Sequence, residues 1–255
     1  MSLVVDAVIP ALDEEESIGA VLDALPRPPV RRVVVADNGS TDRTADVARA
    51  HGADVVREPR RGYGAACLRA LEALRPDPPD IVLFLDADAS DDPAEASRLL
   101  EPIEAGRADL VIGSRALGAQ EPGALAPAQR IGNWTATRLL RLLYGVRCTD
   151  LGPFRAIRWP ALAALGMADR DFGWTVEMQV KAARHGLLYE EVPVRYRRRI
   201  GRSKISGTVG GTIRAGTKIL GTIALDYLAG GPPARRAAFG RGGASPPGPR
   251  APGSP

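Results

Sequence analysis

The sequence is poor in several residue types, and each scarcity removes a class of answer. It has two cysteines, Cys67 and Cys148, and two histidines in 255 residues. Nothing in their spacing makes a disulfide framework or a zinc site, and reduced thiols of a cytosolic protein are expected. No window of about 20 apolar residues exists to cross a bilayer. The best candidate, residues 211–230, is interrupted by Arg214, Lys218 and Asp226. The opening MSLVVDAVIP lacks a basic n-region and a long apolar core, so no signal peptide is expected. Acid is missing from the last stretch. From Gly231 to Pro255 there are four arginines and no Asp or Glu, and 13 of those 25 residues are Pro or Gly. That composition reads as a disordered tail. Those arginines account for the whole net charge of +4, so residues 1–230 are balanced. The basic excess therefore gives no support to nucleic-acid binding by the folded part.

At 45% hydrophobic and 25% charged residues, the remainder suits a soluble globular protein. Its first 115 residues alternate in type. Short apolar runs at 3–9, 30–36, 53–56, 81–85 and 110–112 are separated by helix-like stretches at 15–25, 41–51, 64–74 and 93–105. This is the pattern of βαβ units, hence an α/β fold with a Rossmann-like, mainly parallel sheet flanked by helices. Strands apolar throughout are expected to be covered on both faces. Ser40 or Thr41 is expected to cap the second helix, and Pro93 to sit in the first turn of the fourth. Residues 117–127 read as a mobile loop and 130–144 as a helix. Further helices are expected at 174–185 and about 208–228, with a strand at 188–196 and a mixed reading elsewhere in 145–200.

One stretch carries more chemistry than the rest. Residues 83–93 read LFLDADASDDP, an apolar run that stops at Asp86 and Asp88. In open parallel sheets, ligands bind beyond the carboxyl ends of the strands. Two residues apart in an extended chain, both carboxylates point to one side, where they repel unless a cation lies between them. Oxygen donors suit Mg²⁺ or Mn²⁺, which commonly grip substrate phosphates as well. Asp91 and Asp92 read instead as the acidic start of a helix.

Several segments together resemble family 2 glycosyltransferases of the GT-A fold: VVDAVIPALDEEESIGAVL, VVVADNGSTDRTADVA, REPRRGYGAA, VLFLDADASDDP and IGSR. With DLGPFRAIR, DFGWTVEMQVKAARHG and YRRRIGRSKISGT, the likeness is to the dolichol- or polyprenyl-phosphate mannosyltransferase branch. It covers roughly residues 4–210. It implies a GT-A domain over 1–230, with a nucleotide-sugar-binding half at 1–115 and an acceptor-side half at 116–230.

The resemblance also implies roles. Pro10, Leu12, Glu14 and Asp37 match residues that contact the nucleotide, although Asp37 before Asn38-Gly39 would equally cap a turn. Gly62 and Gly64 flank Tyr63 where backbone can approach a ligand closely. Asp86 and Asp88 match the metal-binding Asp-x-Asp. Ser90 stands where relatives carry Gln, leaving room for water. Arg115, in the GSR segment, matches an arginine near the acceptor phosphate, and Arg130 is a candidate second contact. Arg202, Ser203 and Lys204 match a segment that closes over the donor diphosphate, with Gly201 and Gly207 as hinges. Arg195, Arg197 and Arg199 would share one strand face, read as solvated. Glu177 is either a general base or a structural acid at a helix start. Glu15 and Glu16 read as an acidic helix start.

The implied reaction is inverting, metal-dependent transfer of a hexose from a UDP- or GDP-linked sugar to a polyprenyl phosphate. A small hydroxyl acceptor and a non-catalytic nucleotide-sugar-binding scaffold are the rivals. A lipid acceptor would call for peripheral contact with the inner face of the membrane, made by the helix at 208–228 and nearby arginines.

Overall fold

The computed structural model describes residues 3–201 and 209–230. The expected alternation is present: β1 (Val5–Ala11), α1 (Ile18–Ala24), β2 (Val30–Asp37), α2 (Thr44–Ala50), β3 (Asp54–Arg57), α3 (Tyr63–Leu74) and β4 (Ile81–Phe84). A 3₁₀ turn at Pro93–Glu95 leads into α4 (Ala96–Glu104), followed by β5 (Leu110–Ser114). Strands β1 to β4 are mutually parallel, with β1 between β2 and β4. Alternate residues face opposite sides. Val8, Val34 and Phe84 join α3 and the later helices in one apolar layer, while Ile9, Val35 and Leu83 join α1 and α4 in the other. Both faces are thus covered, and this is why the strands are apolar without alternation.

The second half adds α5 (Pro127–Tyr144), β6 (Arg155–Arg158), α6 (Trp159–Leu165), α7 (Trp174–His185), β7 (Tyr189–Pro193) and α8 (Val209–Gly230). The sheet order is β3-β2-β1-β4-β6-β5-β7. Strand β6 runs antiparallel to both neighbours and fills the gap between β4 and β5. Its sequence, Arg-Ala-Ile-Arg, carries no strand signal. Arg155 is nevertheless buried, because carbonyls satisfy its guanidinium: it donates to Leu151, Gly152 and Thr175. A buried charge is tolerable only when its donors are met in this way.

Several expectations are corrected. The strand expected to run to Tyr196 ends at Pro193. The chain then leaves the sheet as a strap over the loop after β4, with Arg197 N donating to Ser90 O and Ile200 N to Asp88 O. The loop read as mobile is held by that strap, since Glu121 N donates to Tyr196 O and Tyr196 N to Ala119 O. Glu15 and Glu16 precede α1 rather than opening it. The 13–15 segment is laced to the 40–44 segment instead, and Glu15 Oε2 accepts from Arg43 N. Ser40 and Thr41 are spent on Asp13 rather than on a cap, and α2 starts at Thr44. Helix α8 packs against the core through Ile223, with Ile219, Leu220 and Tyr227 partly buried beside it. Ile223 is buried, and Tyr144 donates its hydroxyl to Ile223 O and Asp226. The residues read as a disordered tail lie outside the described ones.

Helix α7 starts with Trp174, buried and edge-on to Phe84 of β4 at 6.2 Å between ring centroids. Phe84 lies two residues before Asp86, so this contact anchors the strand that carries the carboxylates. Trp174→Ala is expected to lower unfolding stability by about 3–5 kcal/mol in urea titrations, the usual cost of deleting a buried aromatic.

Candidate active site

The Asp86–Asp92 turn lies beyond the end of β4, where the sheet runs out. Asp88 is buried, with Oδ1 accepting from Ser90 N at 2.9 Å and Oδ2 paired with Arg199 Nη2 at 2.7 Å. Asp86 keeps a buried Oδ1 with no hydrogen-bond partner. Burial and the neighbouring Asp88 charge push its carboxyl up to about 7, against the pull of Arg199 and the Tyr63 hydroxyl. An unpartnered, buried acceptor beside a second carboxylate is the donor chemistry of a hard divalent cation, so the residues present fit one. Among the described residues no third His, Cys, Asp or Glu completes a cluster. Further oxygens would have to come from a bound ligand or water.

Asp92 behaves as expected, with Oδ1 accepting from Ala94 N at the 3₁₀ turn. It also pairs with Arg197 at 2.6 Å. Asp91 does not behave as expected. It is buried with both oxygens unpartnered, and its carboxyl is pushed well up by desolvation and by Asp86. It is buried behind the turn and lines neither cavity, so it is not part of a solvated helix start.

Two cavities open on this turn. The smaller, about 270 Å³, is lined by Pro10, Leu12, Glu14, Asn38, Tyr63 and Phe172, with Asp86 and Asp88 at its end. Three of the four predicted nucleotide contacts line it. Asp37 does not. Its Oδ1 accepts from Ser40 N at 2.9 Å, the turn-capping role, and the neighbouring Asn38 faces the cavity. Gly62 and Gly64 let the 169–171 loop sit directly on α3, since a Cβ on either would lie about 2 Å from a carbonyl oxygen of that loop. That loop also brings Asp171 and Phe172 to the cavity wall.

The larger cavity, about 700 Å³, is lined by polar and basic groups, among them Arg115, Arg130, Arg138 and Asn133, and by Leu125, Trp134 and Ile219. Asp86 and Arg199 line both cavities, so the two meet at these side chains. Arg115 is not a free anion ligand. Its Nε and Nη2 are spent on Asp150 at 2.7 and 2.6 Å, and its guanidinium stacks 5.0 Å over the Tyr196 ring. Asp150 is drawn below the usual carboxylate range by that arginine in spite of its burial. The pair is held from behind by Glu191 of β7, which accepts from the backbone N–H groups of Thr149 and Asp150.

Glu177 sits in the first turn of α7, turned to the loop that precedes the helix. Its carboxylate accepts from Ala168 N and Asp169 N, at 3.0 and 2.8 Å, and pairs with Lys181. It lines neither cavity. The reason lies in the fold: α7 begins just after the loop that needs an acceptor. Arg197 and Arg199, read as a solvated face, instead reach Asp92 and Asp88. Arg202 and Lys204 lie outside the described residues. Sequence reasoning missed Asp150, Glu191, Asn38 and Arg199 as site residues. Only Arg199 had a signal, its place in the basic cluster.

Comparison with known proteins agrees with this geometry. The model of the glycosyl transferase family 2 matches residues 6–166. An uncharacterized glycosyltransferase of Mycobacterium tuberculosis is 41% identical over 215 residues, 83% of this chain and 94% of that protein. The undecaprenyl-phosphate mannosyltransferase of Micrococcus luteus is 30% identical over 219 residues, 80% of this chain and 88% of that one. Among solved structures, glucosyl-3-phosphoglycerate synthase of M. tuberculosis, in complex with Mn²⁺, UDP-glucose and phosphoglyceric acid, superposes with a TM-score of 0.68. It is 25% identical and covers 87% of this chain and 80% of that one.

Two outcomes are expected. Glu177→Ala should cost about 1–3 kcal/mol of stability, with faster amide exchange at Ala168 and Asp169, because two N–H groups lose their acceptor. Proton competition at Asp86, which titrates at about 7, should weaken Mn²⁺ binding to the free protein as pH falls below 7. The loss should approach ten-fold per pH unit in calorimetric titrations, with the bound proton released on metal uptake.

Proposed function

Because this chain belongs to glycosyl transferase family 2 and is a glycosyltransferase, we propose that it moves a hexose from a nucleotide diphosphate sugar to a polyprenyl phosphate. The observation that carries the reading is the meeting of two differently lined cavities at Asp86 and Arg199. The smaller suits a UDP- or GDP-linked sugar, held at its nucleotide end by Pro10, Leu12, Glu14 and Asn38. The larger combines arginines with Leu125, Trp134 and Ile219, a wall suited to a phosphate on an apolar chain.

Asp86 and Asp88 would hold a divalent ion, Mg²⁺ or Mn²⁺, whose charge stabilises the departing diphosphate. An oxygen of the acceptor phosphate attacks the anomeric carbon. The bond from that carbon to the diphosphate oxygen breaks, and its electron pair leaves with the nucleoside diphosphate. A single displacement of this kind inverts the centre. The acceptor phosphate is ionised near neutral pH, so positioning does most of the work and no strong base is required. That suits a site in which Glu177 is committed to a loop. Arg130 and Arg138 supply positive charge on the acceptor side, and the Arg115–Asp150 pair fixes the wall behind them. Arg202 and Lys204 follow the strap closely in sequence and are assigned to the leaving group.

Contact with a membrane surface would complete the reading. No helix among the described residues is long and apolar enough to cross a membrane. Helix α5 exposes Ile131, Trp134 and Leu142, and α8 exposes Leu225 and Leu228. Such residues beside Arg138 and Arg141 suit the interface of an anionic bilayer. The phosphoglyceric acid bound in the structural neighbour favours a second reading, a soluble transferase using a small phosphorylated hydroxyl acceptor.

The full chain, incubated with radiolabelled UDP- and GDP-hexoses, Mn²⁺ and detergent-dispersed polyprenyl phosphate, is expected to place label in the organic phase. Label appearing only on added 3-phosphoglycerate would favour the second reading, as would failure to sediment with anionic liposomes. Asp88→Asn should reduce turnover by at least about 100-fold. Unchanged cellular function of that variant would instead fit a non-catalytic scaffold.

A further inference from the structure

The strap from Arg195 to Ile200 is tied across the carboxylate turn at several points, and one of its side chains enters the site. Arg197 N and Ile200 N donate to Ser90 O and Asp88 O, and the Arg197 side chain pairs with Asp92. Arg199 alone of these arginines reaches the Asp-x-Asp pair, through Nη2 to Asp88 Oδ2 at 2.7 Å. Its charge also bears on Asp86. The other Asp88 oxygen is taken by Ser90 N. Both oxygens of Asp88 are therefore spoken for, and the cation beside it is a guanidinium. Next along the chain is Gly201, at φ +80°, a conformation that only glycine adopts without strain.

We infer that Arg199 is an internal substitute for the divalent ion: it holds the carboxylate pair in the free protein and yields Asp88 only when metal and nucleoside diphosphate arrive together. The inference rests on the donor-site reading above and adds its regulation. A metal ion arriving alone must break the Arg199–Asp88 pair and leave a guanidinium without its anion. A metal arriving with a diphosphate brings that anion with it. The displaced guanidinium, already lining both cavities, then takes a phosphate oxygen in place of Asp88. Metal and nucleotide must consequently raise each other's affinity by the same factor, since coupling between sites is reciprocal. The exchange also keeps Asp88 paired with a cation before and after metal uptake.

The test measures Mn²⁺ binding, by the free-ion electron paramagnetic resonance signal and by calorimetry, with and without UDP or GDP. Wild-type protein should bind Mn²⁺ weakly alone and at least about ten-fold more tightly with the nucleotide. Arg199→Gln should bind Mn²⁺ alone about ten-fold more tightly than wild type, and the nucleotide enhancement should shrink. Arg199→Lys, which keeps the charge, should stay close to wild type. Arg197→Gln removes an equal charge that is paired to Asp92 rather than Asp88, and should leave Mn²⁺ affinity unchanged. The inference is overturned if Arg199→Gln, folded by circular dichroism, binds Mn²⁺ no better than wild type, or if Arg197→Gln tightens binding equally. It is also overturned if wild type binds no Mn²⁺ under any condition. In that last case, nucleotide binding without metal would leave the sugar-donor reading standing and remove only the exchange.

Discussion

Two carboxylates at the end of one buried strand repel each other, and much of the surrounding structure is arranged around that repulsion. Asp88 is answered by Ser90 N and by Arg199, and Asp86 by the Tyr63 hydroxyl and the more distant arginine. A carboxylate taken out of water must find charge or donors or else take up a proton. Asp86 lies near the boundary between those outcomes. Asp91, buried and with both oxygens unpartnered, has its carboxyl pushed well above the usual range by desolvation and by the Asp86 charge.

The wall of the larger cavity meets the same constraint differently. Arg115 and Asp150 form a buried pair with two short bonds, and Glu191 fixes Asp150 through its backbone and that of Thr149. A buried pair of this kind returns little net stability, because desolvation offsets most of the attraction. Its use here is geometric. It fixes the wall of the larger cavity, which Arg130 and Arg138 also line, at a set distance from the carboxylate turn.

How much of this was legible beforehand follows from the range of each interaction. The strands β1 to β5 and the helices between them were readable because an apolar strand or a periodic helix announces itself within ten residues. The placement of Asp86 and Asp88 was readable because it depends on one strand end. Strand β6 was not, because Arg-Ala-Ile-Arg becomes a strand only when distant carbonyls satisfy Arg155. Glu177 stayed ambiguous for the same reason: its role depends on which N–H groups the preceding loop turns toward it. The strap was mistaken for strand because alternation persists in Arg197 and Arg199, although the surface they face is an acidic loop rather than solvent. Asp150 and Glu191 carried no local mark at all, since each acts on a partner more than 30 residues away.

The antiparallel strand in the middle of the sheet has a wider consequence. Through β6 and β7, the later half of the chain is interleaved with β4 and β5 of the earlier half. The two halves are thus woven into one ladder. Evolution cannot trade one half for another as a cassette without cutting backbone pairing at three seams, β4–β6, β6–β5 and β5–β7. Divergence toward new acceptors must accumulate in the elements laid over the sheet, where residues change without unravelling the weave.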